Sequence, residues 1–277
     1  MKGGDKLKPS QKRCLMFAQG KYYTFELMNT EEPIMSIALN YQLSIFGKFA
    51  ITPSPEAITG LMSKINQETQ HTLLPNMINS QQIEIPSNKI TTVSNLGFVS
   101  QDQQYSITIL NERIDINYNR VNDATESMDT FYSFAIKALT AIIDYSGILS
   151  NRLAMNIQQV CEMKNFSDLK MRGKSFVKTA AYYDDKDFSE WSLRTNGLVD
   201  ITVNESQEKL NVITDISSGQ DLSGQQAAIL FHVDINTLPQ NQNMRFGKQA
   251  LEPFVQNAAA IASTIIADVE RLISNED

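Results

Sequence analysis

The sequence predicts an α+β protein built from antiparallel sheets, each covered by a long helix. Two kinds of pattern predict it. Several short segments alternate apolar and polar residues, as strands with one buried face do, and two long segments repeat apolar residues three and four positions apart, as helices do. Each long helical segment follows a group of strand segments. Because an antiparallel sheet needs one face covered and an amphipathic helix can cover it, we expect two sheet-plus-helix units.

In the first unit, the residues from Met35 to Ile45 alternate most regularly. Their odd positions are apolar and their even positions are Ser, Ala, Asn or Gln, which predicts a long strand with one wet face. Ser54 and Pro55 indicate the start of a helix that ends near Gln70. Further strands are predicted over 22–27, 83–85, 91–99, 105–110 and 113–118, with a tight hairpin at 111–112.

The two long helices are predicted from their apolar stripes. The first runs from Asp129 to Gly147, and glycine is the type of residue that ends a helix. The second occupies 254–273, and Pro253 marks its first turn or a kink. Between them we predict strands over 152–160, 191–203, 209–216 and 227–235. The strand over 191–203 is expected to break at Asn196 and Gly197.

A short internal match divides the chain. Residues 114–117 read Ile-Asp-Ile-Asn and residues 233–236 read Val-Asp-Ile-Asn, and each precedes a long helix. The match is explained by an internal duplication or by chance. We expect a flexible N-terminal lead-in over 1–20 and two halves, 21–148 and 149–277, packed as one body.

The composition is that of a soluble globular protein. The 277 residues can bury a core without disulfide bonds, and 42% of them are hydrophobic. Only 20% are charged, whereas Asn and Gln together make up about 15%. The net charge of −7 argues against binding of nucleic acid or acidic membranes through overall charge. The longest apolar stretch, 258–267, is about half of what spans a membrane, so we expect no membrane association.

Cysteine usage favours a reducing compartment. Cys14 and Cys161 lie far apart and form no Cys-x-x-Cys motif. One pair is too few for the disulfide framework of a small secreted protein, and the charged N-terminus lacks the apolar region of a signal peptide. We therefore expect a cytoplasmic protein.

The order of elements weakly resembles two known groups. One is a sporadically distributed, uncharacterised bacterial family in which strand meanders are each followed by a long helix, matched here by 33–43, 105–118 with its helix, 152–160, and 231–235 with the last helix. The other is the fold of the SecB export chaperones. The first resemblance implies no known activity, and the second implies the holding of unfolded polypeptide.

No complete catalytic, cofactor-binding or metal-binding set is found, so we assign no catalytic, cofactor or metal residues. Gly173-Lys174-Ser175 lacks the first glycine of a phosphate-binding loop, because Asp168 stands there. His232 and Asp234 share one strand face but lack further ligands. Cys161 as a nucleophile and Asp115 with Asp234 as an acid-base pair are alternatives, set against a buried thiol and turn-forming carboxylates.

A basic segment with aromatic residues is the strongest candidate for a nucleic-acid or partner patch. Positive and ring-bearing side chains at this spacing can bind phosphates and stack on bases. Asp184, Asp185 and Asp187 follow and can neutralise it in a solvated loop. The residues of this basic patch are Lys170, Arg172, Lys174, Phe176 and Lys178.

The uncharged polar face of the 35–45 strand and the alanine-rich last helix favour contact with another protein or a second copy. Internal packing of both elements explains the same pattern. We expect a non-catalytic protein-binding or assembly component of a bacterial cytoplasmic system. The alternatives are an enzyme whose site is assembled from dispersed Asp, Ser and Tyr residues, or a nucleic-acid accessory protein.

Overall fold

The computed structural model describes residues 13–18, 21–26, 36–84, 89–121, 126–163, 173–174, 176, 186, 188, 190–220 and 227–274. Eleven strands lie in these ranges. They are β1 (Arg13–Ala18), β2 (Lys21–Glu26), β3 (Ile37–Phe46), β4 (Leu73–Glu84), β5 (Lys89–Ser100), β6 (Tyr105–Ile109), β7 (Arg113–Asn119), β8 (Arg152–Glu162), β9 (Ser192–Val203), β10 (Ser206–Gln220) and β11 (Ala227–Thr237).

Nine of these strands form one antiparallel sheet in the order β4-β5-β6-β7-β3-β8-β11-β10-β9. The predicted α+β class with antiparallel pairing is therefore correct, and strands from both parts of the chain share one sheet. β1 and β2 form a separate antiparallel pair. Because β1 lies inside the range 1–20, a strand occupies part of the segment expected to be a flexible lead-in.

Three long helices lie within the described ranges: α1 (Pro55–Thr69), α2 (Met128–Ser146) and α3 (Leu251–Ser274), the last preceded by a 3₁₀ turn. The Ser54 side chain accepts a hydrogen bond from the amide of Ala57 at 3.1 Å, which caps α1 as predicted. Gln70 and Gly147 end α1 and α2 in the left-handed conformation. The sequence located all three helices because their apolar stripes repeat over several turns.

The hydrophobic core lies between the helices and one face of the sheet. Leu61 of α1, Phe131 of α2 and Phe254 of α3 belong to the same buried cluster as alternate residues of the strands. α2 contacts β3 and β7, whereas α3 contacts β8, β9 and β11. Since successive strand residues point to opposite faces, the remaining residues lie on the face away from this core.

The structure corrects several predictions. β4 begins at Leu73, ten residues before the predicted start at Ile83. The prediction missed these residues because a proline and several amides interrupt the apolar alternation that identifies a strand. β9 runs unbroken through Asn196 and Gly197, paired with β10 along its whole length. The face of β3 predicted to be wet is largely buried, because its polar side chains pack against those of the neighbouring strand: Asn40 bonds to Asn119 and Ser44 bonds to Asp115, both on β7.

β3 and β8 pair at the middle of the sheet, with one shift of register between Ala38 and Asn40. Leu43 lies opposite Met155, and the two flanking pairs are Leu43 with Ile116 and Met155 with Ile235. On either side of the central pair, Gln42 lies opposite Asn156 and Ser44 lies opposite Ala154.

Candidate functional site

Polar side chains concentrate at the centre of the sheet, on the face away from the helices. Gln42 lies directly opposite both Asn117 and Asn156, and Asp234 lies opposite Asn156 on the other side of β8. We call this set of side chains the polar face; Ser44, Asp115 and Asn236 are buried, and the half-buried members are Gln42, Asn117, Asn156, His232 and Asp234.

A chain of side-chain hydrogen bonds crosses four neighbouring strands of the polar face. His232 lies 2.9 Å from the Asn156 side-chain oxygen. Asn156 donates to Gln42 at 3.3 Å, and Gln42 donates to Asn117 at 2.8 Å. The side-chain amides of Gln42 and Asn156 each use one hydrogen-bond donor and one acceptor within this chain of bonds. A side-chain amide has two donors and two acceptor lone pairs, so each can form further hydrogen bonds. Gln42 is directly paired with Asn117 and with Asn156, whereas His232 is a diagonal neighbour of Asn156.

His232 is a neutral donor at one end of this chain. Burial lowers the pKa of its imidazole, and this outweighs the opposing effect of Asp234 and Asp215. Because the Asn156 oxygen can only accept, the His232 Nε2 atom carries the proton and Nδ1 is left as an acceptor.

Two arginines and a phenylalanine lie at the end of the polar face where β3 finishes. The guanidinium carbon of Arg152 is 4.7 Å from the centre of the Phe46 ring, and that of Arg113 is 5.9 Å from it. Both distances are within cation–π range. We call Phe46, Arg113 and Arg152 the arginine–phenylalanine cluster.

The two arginines of the cluster differ in how they are paired. Arg113 forms a 2.8 Å ion pair with Asp115, which also accepts a 2.6 Å bond from Ser44. In contrast, the Nε atom of Arg152 is buried and has no hydrogen-bond partner among the described residues. Burial lowers the Arg152 pKa, Asp234 opposes this and Arg113 adds to it. Arg152 is thus the incompletely satisfied cation of the site.

The arrangement does not bring Asp115 and Asp234 together. They lie on β7 and β11, which are three strand spacings apart, or about 14 Å. At that spacing the two carboxyl groups are too far apart to act on the same bond of a substrate, so the structure does not support the acid-base pair considered from the sequence. Within the described ranges, no three His, Cys, Asp or Glu side chains lie close enough to hold a metal ion.

Of the basic patch, the structure describes two residues. Lys174 is exposed, and the Phe176 ring stacks on Trp191 with centroids 5.5 Å apart, so one face of that ring is occupied. Gly173 lies against the same indole, where an added Cβ would be 2.5 Å from the ring. This packing gives the glycine a role other than phosphate binding. Lys170, Arg172 and Lys178 lie outside the described residues.

Two further titratable side chains, Cys161 and His71, pack on the helix side of the sheet. Cys161 is a free, fully buried thiol, and burial together with Glu270 raises its pKa well above the usual value, which opposes a nucleophilic role. His71 lies edge-on against Tyr105 and Phe134, with Nδ1 3.0 Å from the Thr69 carbonyl. Neither residue reaches the polar face.

Sequence analysis missed the arginine–phenylalanine cluster. Phe46, Arg113 and Arg152 stand at strand ends that are far apart in the chain, and only the pairing of β3 with both β7 and β8 brings them together. Arg113 preceding Asp115 by two residues was a usable signal, because such residues share a strand face.

In comparisons with known proteins, no family model, no curated protein and no solved structure matches the chain. Among the described residues, no helix is long and apolar enough to cross a membrane.

Proposed function

We propose that this protein is a non-catalytic binding or assembly component that receives a protein partner on its polar face. The hydrogen-bonded chain from His232 to Asn117 carries the proposal. Its side chains are held in place by their neighbours before any partner arrives, so little conformational entropy is lost when they bind. A surface of fixed amide donors and acceptors suits a partner that presents backbone amides or polar side chains.

The arginine–phenylalanine cluster is the anchor of this proposed interface. Arginine and aromatic residues carry much of the binding free energy in protein interfaces. The Arg152 side chain as a whole is only half-buried, so an oxygen acceptor on the other protein would contact its guanidinium group beyond the buried Nε atom. A carboxylate would also balance its charge. We therefore propose a partner segment that places a carboxylate at Arg152 and polar groups along the amide chain.

We also propose that the sheet arose by internal duplication. Aligning Asp115 with Asp234 makes Ile116 equivalent to Ile235, and hence Leu43 equivalent to Met155 through their direct pairing. Leu43 and Met155 face each other, as residues beside a two-fold axis would. The helices support the proposal because Phe131 and Ala135 match Phe254 and Ala258, all four fully buried, when the second half carries four extra residues between strand and helix. A bacterial cytoplasmic setting, favoured by cysteine usage, remains part of the proposal.

Quantitative co-purification from native cells tests the proposed partner surface. We expect Arg152→Ala and Phe46→Ala to reduce the recovery of a specific protein by about tenfold or more, as expected for loss of a binding hot spot. Arg271→Ala is the matched control, because Arg271 is an exposed arginine on α3 paired only with a neighbouring carboxylate among the described contacts.

Denaturant unfolding of each variant separates lost binding from lost folding. The proposal requires that Arg152→Ala remains folded at the temperature of the purification while its partner recovery falls. Equal recovery with wild type, Arg152→Ala and Arg271→Ala contradicts a partner on the polar face. So does a purified protein that turns over a substrate and loses turnover on mutation of Asp115 or Asp234.

A further inference from the structure

β9 forms an outer edge of the nine-stranded sheet and is unusually open. Nine of its twelve residues are exposed, including Leu198 at 59% and Val199 at 38%. It contains no proline, and its register with β10 has no bulge. A long, regular edge strand with exposed apolar side chains is a template for pairing with another strand.

The hydrogen-bonding direction along β9 follows from its neighbours. The amide of Ser218 donates to the carbonyl of Trp191 at 3.0 Å, so the backbone of Trp191 faces β10. Because this direction alternates along a strand, the N–H and C=O groups of Arg194, Asn196, Leu198 and Asp200 face outward. Among the described residues, no strand pairs with them.

The outward side of β9 is complementary to itself. If a second copy pairs antiparallel about Gly197, Arg194 lies opposite Asp200 of the second copy, and Asp200 lies opposite Arg194 of the second copy. Both residues are well exposed, with side-chain exposures of 61% and 70%. The two Leu198 side chains become diagonal neighbours on the same face. In this one register, therefore, opposite charges of the two copies face each other and apolar side chains of the two copies lie together.

Gly197 lies on the two-fold axis of this pairing. Its backbone is not in the left-handed region, and an added Cβ would meet nothing within 4 Å in its own chain. The chain itself therefore gives no reason for a glycine there, although glycine weakens a strand interior. In the paired register, the two Gly197 residues face each other in a non-hydrogen-bonded pair with Cα atoms about 4.5 Å apart.

We propose that two copies of this protein join through antiparallel pairing of β9 with β9, which continues the sheet across the dimer. About twelve backbone hydrogen bonds would form if the outward groups from Ser192 to Thr202 are all used. This surface differs from the polar-face interface, and neither proposal depends on the other.

A charge swap tests this register directly. Arg194→Asp puts two carboxylates opposite each other at both ends of the pairing, and Asp200→Arg does the same with two guanidinium groups. We expect each single variant to weaken dimerisation about tenfold, or about 1.4 kcal/mol, and the double variant to restore it. Within one chain, Arg194 pairs with Asp215 and Asp200 pairs with Lys209, and the double variant restores neither pair. Rescue can therefore come only from the second copy.

An outward-facing proline gives a second test that leaves the fold intact. Leu198→Pro removes an outward N–H and no bond to β10, so we expect a folded protein with dimerisation weakened at least tenfold. Met77→Pro is the control, because Met77 is an exposed residue on the opposite edge strand. Sedimentation should give twice the 31.1 kDa chain mass for wild type and Met77→Pro. A monomeric wild type, a dimer insensitive to Leu198→Pro, or a charge swap without rescue overturns the proposal.

Discussion

β4 and β9 are twelve-residue strands at opposite edges of one sheet, and they differ in how their outward backbone N–H and C=O groups are satisfied. At β4, the outward backbone groups of Leu73 are both bonded to the side chain of Asn66, at 3.0 and 3.2 Å. By alternation, the next outward residue is Pro75, which has no N–H to offer. At β9, the outward groups of Arg194, Asn196, Leu198 and Asp200 form an uninterrupted row.

This difference indicates which edge of the sheet can pair with a strand of another chain. A capped residue followed by a proline prevents regular pairing at the start of β4, as expected for an edge protected against association. The β9 edge has only two charged residues among its outward positions, Arg194 and Asp200, and they have opposite signs. Opposite charges placed symmetrically about Gly197 favour one specific pairing and disfavour shifted registers.

The largest effect we expect in this comparison comes from the cap on β4. Asn66→Ala leaves the Leu73 N–H and C=O without partners beside a fully buried Leu73 side chain, and we expect the free energy of unfolding to fall by about 2 kcal/mol. Urea denaturation measures it. The control is Asn79→Ala, which removes an exposed bond to Ser94 and should cost about 0.5 kcal/mol or less. Equal losses in the two variants would show that the cap has no special role.

A smaller effect is expected at the turn that joins β9 to β10. Glu205 has a φ of 65° and Asn204 a φ of 48°, both in the left-handed region. Glutamate is poorly suited to that region, so Glu205→Gly should stabilise the protein by about 1 kcal/mol in urea denaturation.

Asn204→Gly is the control for this turn. Asparagine tolerates the left-handed region. In the orientation of the Asn204 amide that matches its neighbours, its nitrogen donates to the Gln249 carbonyl and its oxygen accepts from the Ala250 N–H. Its replacement should therefore bring no gain. A gain of the same size at both positions would mean that backbone strain does not distinguish them.

The edges also show what the sequence could and could not predict. α2 and β3 were predicted closely because a periodic apolar pattern depends only on near neighbours along the chain. β4 was mostly missed, since an edge strand with Pro75 and many amides lacks that pattern. The sequence located Gly197 but predicted a break there, because glycine in a strand is more often a sign of a bulge or bend.

The candidate site was predictable only in part. The even positions of β3 were recognised as an uncharged polar face, and Gln42 does lie on the polar face of the structure. The charged groups beside it, Asp115 and Arg152, come from β7 and β8, and their proximity follows from long-range strand pairing. No local pattern encodes that pairing, because strand order is decided by contacts between distant segments.

The smallest expected change in stability comes from restoring the missing outward N–H group at Pro75 of β4. Pro75→Val restores an outward N–H without altering a bond to β5, so we expect the free energy of unfolding to change by about 0.5 kcal/mol or less. What should change is association: the variant edge gains an unpaired donor beside the exposed side chains of Leu74 and Met77, at 50% and 44%. Light scattering at rising concentration should show species larger than those of wild type. If Pro75→Val scatters as wild type does, the proline is not what closes that edge, and the contrast with β9 rests on the Asn66 cap alone.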